Sequence, residues 1–290
     1  MARFLFWSDL HLEFAPFKIP QPGKDAPGAD EIDAILIAGD TDVKARHVDF
    51  AKSVWDIWNR PVIMVDGNHE PYGSKRIQKL WQIEDERLAL ARRHGADIEI
   101  LRGTSRIVGD TRIIGATLWT DLRLFPDLAA GVAIRVAADM NDYACIHFED
   151  SIRGIYRRLI PSDTVAMHAA QKDAIYRHLA QPFDGRTIVM THHLPVRQML
   201  RLDRAGSLDL LDAAFASDLA HEICGYDIDA WICGHSHRSV EAIIPGASGP
   251  IRFLRNIRGY PWETTDFDPV RVLDSAAPRL RREMDEAPSP

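Results

Sequence analysis

Phe4 to Trp7, Ile35 to Ala38, Val62 to Val65, Thr187 to Met190 and Ala230 to Cys233 are short, continuous apolar runs. Uninterrupted runs of this length, closed by turn residues, predict strands buried on both faces. Each stops at a polar cluster: Ser8-Asp9-Leu10-His11, Gly39-Asp40, Gly67-Asn68-His69-Glu70, Thr191-His192-His193 and Gly234-His235-Ser236-His237. Five strands ending this way at one sheet edge would bring carboxylates, an amide and imidazoles to a single spot.

Between these runs the period changes. Val48, Val54, Trp55 and Trp58 predict a helix from about His47 to Asn59, and Ile77, Leu80, Trp81, Leu88 and Leu90 a longer one over Ser74 to Arg93. Strands are expected at Ile98–Leu101, Arg106–Val108, Arg112–Leu118, Val240–Ile244 and Ile251–Leu254, and helices at Met167–Leu179 and Leu208–Ile223. Phe14 to Asp30, with four prolines and two glycines, is a loop leaving the first polar cluster. Strand–helix alternation in both halves indicates a layered α/β fold. Residues 1–275 are expected to form one domain carrying a mostly helical insertion at about 127–160 that overhangs the site, with 276–290 a frayed tail.

Composition narrows the classes. At 290 residues and 46% hydrophobic, the chain can bury a substantial core. A net charge of −7 argues against nucleic acid as a partner, which calls for a basic face. No apolar run is long enough to span a bilayer, and cleaving the N-terminus as a signal peptide would delete a strand and its polar cluster. Cys145, Cys224 and Cys233 have no repeated spacing and suit a reducing cytoplasm, where the protein is expected to reside. Cys233, inside an apolar run, is expected to fill core space.

Asp9 and His11 are two apart, so on an extended strand end they would share a side and meet one ion; His235 and His237 repeat that spacing. Asp40 can bridge two cations, which need a shared carboxylate at about 4 Å separation. Asn68 offers a neutral oxygen and His192 a further nitrogen, while Gly39 and Gly67 permit tight turns. A mixed nitrogen and oxygen set suits a pair of divalent transition metals, Mn, Fe or Zn before Ca or Mg. Singly each cluster has an ordinary explanation as an exposed strand end or turn. Their order and repeated placement after a strand carry the inference. His47, His94, His147, His168, His178 and His221 fall on presumed helices and are left as surface or core residues.

In all five clusters the sequence resembles the calcineurin-like metallophosphoesterases, over roughly residues 2 to 260. The resemblance implies a four-layer α/β/β/α sandwich of two mixed sheets flanked by helices, with metals at the strand ends. It implies Asp9, His11, Asp40 and His237 around one metal, and Asp40, Asn68, His192 and His235 around the other. His69 is implied beside the scissile phosphate, assisting the leaving group, while a metal-bridging hydroxide attacks in line. Glu70 and Asp42 are the candidates to orient His69, and His193 is expected to pack behind the site.

Departures from the family's branches narrow the substrate. Gly39-Asp40-Thr41-Asp42-Val43-Lys44 lacks the arginine of the phosphoprotein phosphatases. His69 stands where lipid-precursor pyrophosphohydrolases carry arginine. A small or medium cytosolic phosphoester, monoester or diester, is the expected substrate. Arg258, in Arg255-Asn256-Ile257-Arg258-Gly259-Tyr260, either grips a substrate anion or serves a turn. Asn141 and Tyr143 either contact substrate or cap a helix end. Two alternatives stand beside the enzyme: a catalytically silent scaffold of the same fold, which would be expected to have lost ligands, and a nuclease of the superfamily, which would want a basic, aromatic-studded stretch.

Overall fold

A computed structural model of the chain describes residues 1–203, 208–239 and 241–275. Among the described residues thirteen strands alternate with helices: β1 Arg3–Trp7, β2 Ala34–Ala38, β3 Val62–Val65, β4 Ile98–Ile100, β5 Thr104–Val108, β6 Thr111–Ala116, β7 His147–Asp150, β8 Ile155–Arg158, β9 Arg186–Thr191, β10 Ala230–Ile232, β11 Ala242–Ile244, β12 Ile251–Leu254 and β13 Val272–Asp274. The helices are α1 Arg46–Trp58, α2 Ile77–Arg93, α3 Ala129–Asp139, α4 Asn141–Cys145, α5 Pro161–Leu179, α6 Arg197–Asp203 and α7 Ala220–Ile223. One sheet has the order β13-β1-β2-β3-β4, the other β11-β12-β10-β9-β6-β5. β1 to β4 run parallel, as do β6, β9, β10 and β12, with antiparallel strands at the edges.

The alternation of side chains along each strand builds four layers. Phe4, Phe6, Leu36, Ile63, Ile188, Met190 and Ile232 point between the sheets and form one core. Leu5, Trp7, Ile35, Ile37 and Met64 point the other way, onto Val48, Val54 and Trp58 of α1 and Leu88 of α2. Val189, Trp231, Cys233 and Phe253 face a third cluster with Ile175 and Leu179 of α5 and Val132 and Val136 of α3. Strands buried on both faces explain the continuous apolar runs, and Cys233 fills core space as expected. The α/β/β/α sandwich of two mixed sheets is thus the architecture observed.

Several elements differ from expectation. α2 starts at Ile77 rather than Ser74, and Leu90 lies off its buried stripe at 54% exposure. Glu84 occupies that stripe instead, fully buried, because Arg102 and His47 neutralise it. α5 starts six residues early, with Pro161 in its first turn and Asp163 accepting from the Ile160 amide at 3.0 Å. Leu208–Ile223 is not one helix: a 3-10 turn at Leu210–Ala214 and the short α7 flank a bridge between Leu194 and Ala216. Only the first part of 127–160 is helical, since β7 and β8 form an antiparallel hairpin that turns through Gly154 at φ 65°. β13, which pairs with β1, carries no apolar run long enough to announce it. Val240 and the expected tail, 276–290, lie outside the described residues.

Candidate metal centre

Parallel strands put their carboxyl ends at one edge, so the loops after β1, β2 and β3 of one sheet face those after β9 and β10 of the other. Asp9 follows β1, Asp40 follows β2, Asn68 follows β3, His192 follows β9, and His235 and His237 follow β10. All seven expected ligand residues converge there, and all but His237 are buried. Ligand atoms of Asp9, His11 and His237 lie within 4.8 Å of one another, as do those of Asp40, His192 and His235.

The local backbone differs from the extended strand end that the two-residue spacings imply. Asp9, His11, Asp40, His235 and His237 all have left-handed φ, between 46° and 69°. A non-glycine residue held there costs about 1–3 kcal/mol, and such strain gathers at functional sites. Asp9 and His11 therefore meet across a tight turn rather than along one face of a strand. The glycines serve close approach. A Cβ on Gly39 would stand 2.6 Å from His192 Nδ1 and 2.8 Å from the Gly67 amide, and one on Gly67 or Gly234 would overlap Asp40 or Asp9.

Glu70 ties these loops together. Its carboxylate accepts from the amides of Thr41 (2.8 Å), Gly67 (2.7 Å) and Asp40 (3.2 Å), so it spans the turns after β2 and β3. Burial and the Asp40 charge push this carboxyl up to about 8. Asp42 instead pairs with Arg46 and its neighbouring amide. Neither orients His69. That contact belongs to Glu13, whose Oε1 lies 2.9 Å from His69 Nδ1 and 3.1 Å from His11 Nδ1. Glu13 continues the Asp9, His11 spacing by two more residues, and that signal was available in the sequence.

His11, His192 and His237 each show one nitrogen to a supporting acceptor and the other to the centre. His192 Nδ1 lies 2.9 Å from the Ala38 carbonyl, His237 Nδ1 lies 2.6 Å from Glu263, and His11 Nδ1 meets Glu13. Donation from Nδ1 leaves the Nε2 lone pairs pointing inward. His11 Nε2 and His237 Nε2 face each other at 3.1 Å, and His192 Nε2 faces the Asn68 carbonyl oxygen at 3.0 Å. Asn68 is fixed in that sense because its amide donates to Asp142 at 2.9 Å. His235 Nε2 is buried with no hydrogen-bond partner. Lone pairs opposed in this way are what a bound cation would satisfy.

The electrostatics agree. Burial works against charge on Asp40, yet His192 and His69 hold its carboxyl well below the ordinary range. Burial and the neighbouring His193 and His192 push His235 far down, keeping a neutral donor. Burial lowers His69 too, but Asp40 and Glu13 outweigh it and hold the ring at about 9.

Other expected site residues fall elsewhere. Arg258 does not face the centre: its guanidinium donates to the carbonyls of Leu10 (2.7 Å), Ala15 (3.0 Å) and Pro16 (2.8 Å). Tyr143 packs in the core, its hydroxyl 3.0 Å from Thr164. Asn141 does line the cavity of about 300 Å³ over the centre, with Asp40, Asn68, His69, His235 and Glu263. His193 packs behind it, ring on ring with His235 at 4.2 Å, and burial pushes it down to about 3. Asp142, which holds Asn68 and accepts from Tyr72 at 2.5 Å, stood in the Asn141-Asp142-Tyr143 stretch without a role of its own, and Tyr260 in the Arg255–Tyr260 stretch, whereas Tyr72 and Glu263 were not singled out. His47, set aside there, is buried between Glu84 (3.2 Å) and Asp66 (3.6 Å).

The family profile of calcineurin-like phosphoesterases matches residues 2–239. The chain belongs to that family. No curated protein sequence matches it. Among solved structures, it is similar to a phosphopantetheinyl hydrolase from Mycobacterium tuberculosis, with 18% identity, a TM-score of 0.62 and 90% of each chain covered. A dimetal phosphatase from Danio rerio, at 12% identity and a TM-score of 0.40, covers 88% of this chain and 86% of its own. Membership makes this protein a metal-dependent phosphoester hydrolase of a dimetal family, with His and Asp clusters able to hold metal. Among the described residues no helix is long and apolar enough to cross a membrane.

Proposed function

We propose that the centre holds two divalent transition-metal ions and hydrolyses a small or medium phosphoester. Asp9, His11, Asp40 and His237 would hold one ion, and Asp40, Asn68, His192 and His235 the other. The observation that carries this reading is the set of facing donor atoms: His11 Nε2 opposite His237 Nε2 at 3.1 Å, His192 Nε2 opposite the Asn68 carbonyl oxygen at 3.0 Å, and ligand atoms of Asp40, His192 and His235 within 4.8 Å of one another. When bound, such a pair supplies positive charge for the phosphoryl oxygens and a water acidic enough to attack phosphorus near neutral pH. Carboxylate, amide and imidazole donors favour Mn, Fe or Zn.

The chain's own residues supply the rest. His69 stands at the cavity wall with Nδ1 on Glu13 and Nε2 3.2 Å from the Tyr260 hydroxyl. With Glu13 on Nδ1 favouring its protonated form, it would donate from Nε2 to the departing oxygen. Glu13 fixes the ring by its other nitrogen, and Glu70 keeps the Asp40 and Asn68 turns in register.

The test is hydrolysis of p-nitrophenyl phosphate and bis-p-nitrophenyl phosphate, with and without Mn²⁺, by wild type and Asp40→Asn. Metal-dependent turnover that Asp40→Asn loses is expected, and the faster ester distinguishes monoester from diester chemistry. No turnover of either with Mn²⁺, Fe²⁺ or Zn²⁺ would count against the enzyme and for a silent scaffold.

A further inference from the structure

Tyr260, which lines the cavity, touches two further aromatic rings, and the hydrolysis described above uses only Tyr260. Tyr260 lies 4.4 Å from the His11 ring, and Trp262 stacks on Tyr260 at 4.9 Å with 21° between the planes. Phe14 meets Tyr260 and Trp262 edge-on, at 5.3 and 5.5 Å. Phe14 and Trp262 are 51% and 69% exposed, so folding does not bury them. An apolar surface of this kind beside a cavity marks a binding site.

The rings are also fixed in place. Arg258 clasps the carbonyls of Leu10, Ala15 and Pro16, bracketing Phe14, while Thr265 Oγ1 donates to the Arg258 carbonyl at 3.0 Å. Glu263 accepts from the Tyr260 amide at 2.8 Å and contacts His237, a candidate ligand. The arginine read in the sequence as a possible anion grip thus fastens the two segments that carry the rings. Among the described residues lining the cavity there is no Lys or Arg, whereas Asp139, paired with Arg135, and Glu263 do line it. The carboxylates of Asp139 and Glu263 disfavour a leaving group bearing further negative charge, and a flat neutral part meets the exposed rings.

We propose that Tyr260, Trp262 and Phe14 form a stacking platform for the flat, uncharged aromatic part of the substrate's leaving group, a nucleoside or an aryl alcohol. This rests on the cavity being the phosphoester site. Ring stacking of this kind is on the order of tenfold or more in affinity.

Manganese-loaded full-length protein, titrated by calorimetry with phenylphosphonate, a nucleoside phosphonate of equal charge and methylphosphonate, tests it without turnover. The ring-bearing ligands are expected to bind about tenfold tighter than methylphosphonate. Trp262→Ala and Phe14→Ala should bring that ratio towards one at an unchanged melting temperature, and Trp262→Tyr should restore it. Whichever ring ligand binds tighter identifies the source of the ring. A wild-type ratio near one, a ratio indifferent to both alanine variants, or no binding by any phosphonate would overturn the platform. Ring selectivity in a protein that hydrolyses no ester would leave the platform standing while the esterase reading fell.

Discussion

His69 is the residue whose role depends most on its immediate neighbours. A ring held at about 9 by Asp40 and Glu13, against the lowering effect of burial, is protonated throughout the neutral range. An acid matters most when the leaving oxygen is a poor leaving group. His69→Asn is expected to slow hydrolysis of an alkyl phosphoester by about 10²–10⁴-fold and of a p-nitrophenyl ester much less. Glu13→Gln should give the same pattern more weakly, because the ring keeps a hydrogen-bond partner and loses only its charge. Steady-state rates on the two ester types check this, and equal losses on both would remove His69 as the acid. At this scale the sequence was informative where a motif is contiguous. Asp9, His11, Asn68 and His192 stood out because polar clusters close five apolar runs in succession, although none would have done so singly. Asp142 and Glu263 did not, because their importance arises from contacts with Asn68 and His237 that cross 74 and 26 positions of chain.

Elements position these residues through close backbone approach. Gly67 lies where any side chain would overlap the Asp40 carboxylate, although its φ is not left-handed. Gly67→Ala should therefore remove metal-dependent turnover while leaving most of the thermal stability, a combination measured by activity and by melting temperature on one preparation. A second arrangement lies beneath the turn after β3, where α1 contributes His47, α2 contributes Glu84, and Arg102 joins Glu84 to Asp66. Burial lowers the His47 ring, but Glu84 and the other carboxylates raise it from 6.5 to about 9. A raised value means the folded state holds this proton more tightly than the unfolded chain. The stabilisation is complete below about pH 6.5 and is lost as pH rises through about 9. The melting temperature of wild type should fall across that window, and His47→Gln should flatten the fall; parallel curves would show that His47 does not contribute it. The α2 periodicity placed Leu90 inside and was silent on Glu84, since a hydrophobic pattern cannot foresee a buried charge whose partners come from α1 and the turn after β4.

For the whole molecule, the sandwich was legible because both sheets are covered twice. β2 had to be apolar at every position and β1 at every position after Arg3, and those runs are the strongest signal in the chain. The β7–β8 hairpin was illegible because no residue of either strand is buried, so no period survives in His147–Asp150 or Ile155–Arg158. The edge strand β13 has a single buried residue, Leu273, and is placed by pairing with β1 across most of the chain length. The site depends on this global arrangement, since β1 to β3 and β9 to β10 belong to different sheets that meet through the packed core between them and, at the site, through contacts such as His192 to the Ala38 carbonyl. The account as a whole stands on seven side chains from those two sheets forming two adjoining cation sites that share Asp40. Calorimetric titration of metal-free protein with Mn²⁺ tests that claim most directly. Two equivalents per chain in wild type, falling to one or none in both Asp40→Asn and His235→Ala, are predicted; less than one equivalent in wild type, or two retained without Asp40, would contradict it.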